Sequence, residues 1–168
     1  MSAITPYDRK AAAAYAARWA FDRNPHYLDF ENMGGDCTNF TSQCIYAGAE
    51  VMNYRPVLGW YYNSAADRAP AWTGVEYLYN FLVSNQGTGP FAAETDIYHV
   101  EIGDFVQLGN LSGHFYHSPF ICDIIDPPSL DNILVAAHSE DCFNRPLSTY
   151  IIAKIRFIHI EGVRKNSG

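Results

Sequence analysis

Gly34-Gly35-Asp36-Cys37-Thr38-Asn39-Phe40-Thr41-Ser42-Gln43-Cys44-Ile45-Tyr46-Ala47-Gly48 is the stretch that orders the reading of the whole chain. Cys37, Phe40, Cys44 and Ala47 recur at helical spacing, Gly48 suits a C-terminal stop, and the glycine pair lets the backbone turn tightly before the helix opens. The helix therefore begins near Asp36 with a cysteine in its first turn. Such a turn offers unpaired N–H groups and the positive end of a dipole. Both stabilise a thiolate and lower its pKa below the usual value of about 8.5. Cys37 is the candidate nucleophile, and its own amide a candidate oxyanion donor. Cys44, deep in the same helix, and Cys122, within a strand, read as packing.

Towards the N-terminus, Thr5-Pro6-Tyr7-Asp8 predicts a helix start with Thr5 as N-cap and Pro6 at the first helical position. The alanine-rich helix runs to about Phe21 and Asn24-Pro25 ends it. Towards the C-terminus, Gly59-Trp60-Tyr61-Tyr62-Asn63 reads as an aromatic loop. Thr73-Gly74-Val75-Glu76 reads as a capping box opening a third helix with Val75, Leu78, Tyr79 and Leu82 on its apolar face. After Gly103-Asp104 the texture becomes β-branched: Phe105 to Leu108, His117 to Ile125, Ile133 to Ala137 and Ile151 to Ile160, separated by turn residues. Helices in the first half and strands of one antiparallel sheet in the second predict a single α+β domain over residues 1–168.

A cysteine nucleophile needs a base, and His117 opens a strand where its ring can face the helix N-terminus across a cleft. His138 ends the next strand, so a hairpin would bring it beside His117 to orient that imidazole, with Asp141 as the competing third group. Asp36 reads as a helix cap or as a group that orients substrate. Trp60, Tyr61, Tyr62 and Trp72 suit either stacking on a sugar or peptide or packing in the core. Asn39 and Gln43, one turn apart, are expected to hydrogen-bond neighbouring loops.

The stretch from Gly34 to Gln43 resembles the signature of a bacterial amidase-domain family. The resemblance extends over nearly the whole chain through Asn24-Pro25, Tyr27, Gly59-Trp60-Tyr61-Tyr62, Trp72, Gly103-Asp104, His117-Ser118, Ala137-His138 and Arg156-Phe157-Ile158-His159-Ile160. That family is similar to the papain-like NlpC and CHAP peptidoglycan amidases. The resemblance implies a papain-like domain, a triad of Cys37, His117 and His138, acyl transfer without a cofactor, and a peptide or cell-wall amide as substrate.

Bulk properties set the outer limits. The 168 residues are 48% hydrophobic, 15% aromatic and 17% charged, which excludes disorder and predicts a packed interior. A net charge of -7 with no Lys/Arg stripe argues against a nucleic-acid partner, and no apolar run approaches the length that spans a bilayer. Met1 to Lys10 lacks the pattern of a secretory signal. The free cysteines suit the cytoplasm while the implied substrate suits the envelope, so location stays open. The basic pair Arg164-Lys165 in the polar tail is given no function. Two rival readings stand. One is a binding module on the same fold. The other is a zinc hydrolase drawing on His114, His117, His138, Asp141 and Cys142, although His114 and His117 in an extended segment would point to opposite faces.

Overall fold

Alternation along the strands decides which side chains face which layer. In the computed structural model, which describes residues 2–166, Phe105, Phe120, Ala136 and Ile158 point to one face of a large sheet, where the helices lie. Their immediate neighbours Val106, Ile121, Val135 and Phe157 point to the other, into a smaller apolar cluster with Leu108, Ile133 and Leu147. This is the period of two expected of a sheet covered on both faces.

In chain order the elements are β1 (Ser2–Thr5), α1 (Arg9–Trp19), α2 (Cys37–Ala49), β2 (Tyr62–Ser64), β3 (Asp67–Arg68), α3 (Pro70–Thr73), α4 (Val75–Ser84), β4 (Gly89–Thr95) and β5 (Phe105–Gly109). There follow β6 (Phe115–His117), β7 (Phe120–Ile124), β8 (Ile133–Ala137), β9 (Cys142–Pro146) and β10 (Lys154–Asn166). The main sheet is antiparallel in the order β1-β10-β5-β7-β8-β9, with β4 also on β10 and β6 also on β5. β2 and β3 form a separate ribbon. The α+β class holds, with several local differences. Ser2–Thr5 is a strand paired with the end of β10, and the first helix is capped by Asp8, whose carboxylate accepts from the Ala11 amide, not by Thr5. Thr73 lies inside the short α3, so Gly74 precedes α4 without a side-chain cap. The run His117 to Ile125 is broken at Ser118-Pro119 into β6 and β7.

α2 is the central helix, with eleven of its thirteen residues buried. A helix carrying Thr, Asn, Ser and Gln can lie in a core only if each polar group finds a partner. Asn39 Nδ2 donates to the Leu28 carbonyl, Thr41 Oγ1 donates to the Ser118 carbonyl, Ser42 Oγ accepts from Trp60 Nε1, and Gln43 Oε1 accepts from the Tyr15 hydroxyl. The expected loop contact is present for Asn39, whereas Gln43 bonds Tyr15 of α1. Gly48 sits within the helix and does not end it; a Cβ there would lie 2.6 Å from the Asp8 carbonyl, so glycine lets the start of α1 cross closely. Glu50, in left-handed geometry, closes α2. Ala12, Ala16 and Ala20, spaced by four, are fully buried and give α1 a flat face for this approach. Among the described residues no helix is long and apolar enough to cross a membrane.

Candidate active site

Gly35 adopts φ +108°, and a Cβ added there would stand 3.3 Å from Ser139 Oγ. Glycine thus allows the turn that delivers Asp36 and Cys37 to the start of α2. The Asp36 amide donates to that same Ser139 hydroxyl at 3.0 Å, and the Ser139 amide donates to Glu31 at 3.1 Å. The turn between β8 and β9 is thereby tied to the loop before α2.

Cys37 stands in the first turn of α2 against the corner between β6 and β7. Its Sγ is 4.0 Å from the Tyr116 carbonyl and 3.7 Å from Thr38 Oγ1. Cys37 and His117 line one cavity of about 560 Å³, together with Gly34, Ser139, Arg145 and Tyr150. His117 is 8% exposed and its ring packs against Tyr150, with centroids 5.6 Å apart. Burial and the nearby Arg145 guanidinium lower its pKa from 6.5 to about 4. Burial pushes the Cys37 thiol up, while hydrogen bonds from the Ser118 backbone and from Thr38 pull the other way. The expected lowering of the thiol by the helix N-terminus is therefore outweighed by desolvation. At neutral pH the two groups rest as a thiol and a neutral imidazole.

A chain of hydrogen bonds leads to the sulfur, and its direction is fixed from Arg156 as far as Ser118. Arg156 can only donate, so its bonds of 2.9 and 2.6 Å fix Gln107 Oε1 as acceptor. Gln107 Nε2 then donates to Ser118 Oγ at 3.1 Å and to the Val75 carbonyl at 2.9 Å. Ser118 Oγ lies 3.1 Å from Thr38 Oγ1, and the Thr38 hydroxyl lies 3.7 Å from Cys37 Sγ, so either hydroxyl can donate along this last stretch. Nothing in the local sequence marks Gln107 or Ser118 for this part, because the chain assembles from four separate elements.

The structure does not bring His138 to the ring of His117. His138 is 1% exposed and stacked on Phe40 at 4.1 Å. Its Nε2 donates to the Trp19 carbonyl at 2.8 Å, and its Nδ1 lies 2.5 Å from Asp36 Oδ2. Among the described residues no hydrogen bond reaches the His117 ring from Asp141 either; Asp141 is held by Arg23 at 2.9 and 3.0 Å. Asp36 does not cap α2 through its side chain and is 1% exposed. Its Oδ1 accepts from the Phe30 amide at 2.8 Å and from Asn39 Nδ2 at 2.9 Å, so it knits the loop to the helix. Trp60 and Trp72 are fully buried, 4.8 Å apart, with Trp72 Nε1 donating to Asn39 Oδ1. Both are core, which corrects the stacking role considered for them. Tyr61 packs on Tyr54 at 5.6 Å, away from the cavity that holds Cys37. His114 is exposed on the β5–β6 turn, and among the described residues no three His, Cys, Asp or Glu side chains converge as metal ligands.

A family model described as "Putative amidase domain" matches residues 6–160. The chain is also 35% identical over 85 residues to an uncharacterized Bacillus subtilis protein, YhbB, an alignment covering 49% of this chain and 26% of that protein. The chain thus spans about a quarter of the length of that relative. No solved structure matches it.

Proposed function

Because the chain belongs to the "Putative amidase domain" family, we propose that it is a cysteine amidase or peptidase of papain-like type, and that Cys37 and His117 carry its chemistry. At the coarse level the family makes it an amidase-like hydrolase. The finer reading is supported by one observation above the rest: a cysteine in the first turn of a central helix and a histidine on the antiparallel sheet open onto the same cavity.

His117, a neutral imidazole in the resting site, accepts the Cys37 proton as the sulfur attacks the amide carbonyl carbon. The carbonyl electron pair moves to oxygen, where the Cys37 amide at the helix start donates to the oxyanion. Collapse of this intermediate breaks the C–N bond, and His117 returns the proton to the leaving amine. Water then attacks the thioester while His117 takes its proton. The C–S bond breaks, and the thiol is restored. Thr38, held by Ser118 and Gln107, stabilises the developing thiolate. Asp36 and His138 act at one remove, holding the loop and the helix start that place Cys37.

Peptides of the bacterial cell wall are the substrates that the resemblance to NlpC and CHAP enzymes favours. The test is amine release from defined peptidoglycan stem peptides by the wild type, Cys37→Ala and His117→Ala. Turnover that vanishes in Cys37→Ala and falls about 10²- to 10⁴-fold in His117→Ala is expected, the range for loss of a general acid–base. Unchanged turnover in Cys37→Ala would refute the thiol mechanism.

A further inference from the structure

Arg145 is the one cation among the described residues lining the cavity of Cys37 and His117. It is rigidly mounted. Its guanidinium lies over the Tyr150 ring, 3.5 Å from the centroid, while Nε donates to Thr149 Oγ1 at 2.7 Å and Nη2 donates to the Thr149 carbonyl at 3.2 Å. The same Tyr150 ring packs against His117, so one aromatic ring contacts both the guanidinium and the imidazole. Among the described residues Nη1 meets only the carboxylate of Glu140, at 3.9 Å, too far for a hydrogen bond. Glu140 is itself 89% exposed, whereas the other acid of the cavity, Glu31, is engaged by Ser139.

A guanidinium fixed through two of its nitrogens, on a residue that lines a cavity and with Nη1 making no hydrogen bond among the described residues, is preorganised for a carboxylate. We infer that Arg145 forms a carboxylate-binding subsite next to Cys37 and His117, so that the amide substrates of this protein carry a free carboxylate close to the bond that is cut. This rests on the cysteine reading above and narrows its substrate class. It also fits the electrostatics, since Arg145 depresses the basicity of His117 and a bound carboxylate offsets that field as the imidazole receives its proton.

Two alkylating agents of equal size separate charge from reactivity. Rates of Cys37 labelling by iodoacetate and by iodoacetamide are measured by peptide mass spectrometry on folded wild type, Arg145→Lys and Arg145→Gln. The iodoacetate-to-iodoacetamide ratio is expected to fall about tenfold in Arg145→Gln and less in Arg145→Lys, the scale of one charge-assisted contact. An equal ratio in all three proteins overturns the subsite and leaves the thiol mechanism standing. Failure of Cys37 to react with either reagent overturns both. Should Arg145→Gln not fold, protection of wild-type Cys37 by N-acetylglycine, but not by N-acetylglycinamide, gives the same answer, and equal protection by the two contradicts it.

Discussion

His138 Nδ1 and Asp36 Oδ2 lie 2.5 Å apart in the core, joining residues 102 positions apart in the chain. The imidazole is held at its other nitrogen by the Trp19 carbonyl, and the carboxylate at its other oxygen by Phe30 and Asn39. The pair therefore fastens the end of β8 to the start of α2, one residue before the candidate nucleophile.

His138→Ala leaves the Asp36 carboxylate buried without this partner and is expected to cost about 3 kcal/mol of stability. Urea unfolding measures this. The pH profile of Cys37 alkylation should keep its midpoint in folded His138→Asn. A shifted midpoint with unchanged stability would show that His138 serves the reaction directly.

The depressed basicity of His117 makes stability depend on pH in one window. Between 6.5 and about 4 the unfolded chain binds a proton that the folded protein does not, so the stabilisation is complete above pH 6.5 and is lost as pH falls to about 4. The loss amounts to about 3 kcal/mol. In His117→Gln, urea unfolding at pH 4.5 and pH 7 should differ by correspondingly less than in the wild type. An equal difference in both proteins would contradict the burial of a neutral imidazole.

Thr38→Val keeps the shape of the side chain and removes the hydroxyl 3.7 Å from Cys37 Sγ. Iodoacetamide labelling of Cys37 at fixed pH should slow severalfold, about the effect of one hydrogen bond to an anion. Ser118→Ala, one bond further back, should slow it in the same direction. Unaltered rates in both variants would show that the chain through Gln107 does not act on the sulfur.

Much of this arrangement was legible in the sequence, for local reasons. The glycine pair before Cys37 announces a helix start, and the β-branched runs announce strands, because both are patterns over neighbouring residues. Arrangements assembled at a distance were not legible. β1 and β9 are short edge strands with weak alternation, and β4 carries Gly89 and Pro90 at its start. Trp60 stands outside any helix or strand and Trp72 in the short α3, yet both lie in the core, where α2 gives each indole N–H an acceptor. A hairpin reading placed His138 beside His117, but the Asp36 carboxylate and Trp19 carbonyl take both of its ring nitrogens. Arg145 has no motif around it, and only Tyr150 and Thr149 reveal its placement.

The most direct test of the central claim is acylation of Cys37 itself, followed by rapid quench and mass spectrometry after mixing the folded protein with p-nitrophenyl acetate. An acetyl adduct on the peptide containing Cys37, formed at least tenfold more slowly in His117→Ala and missing from Cys37→Ala, is the predicted result. An adduct that forms at the same rate without His117, or that settles on another residue while Cys37 stays free, would contradict the account.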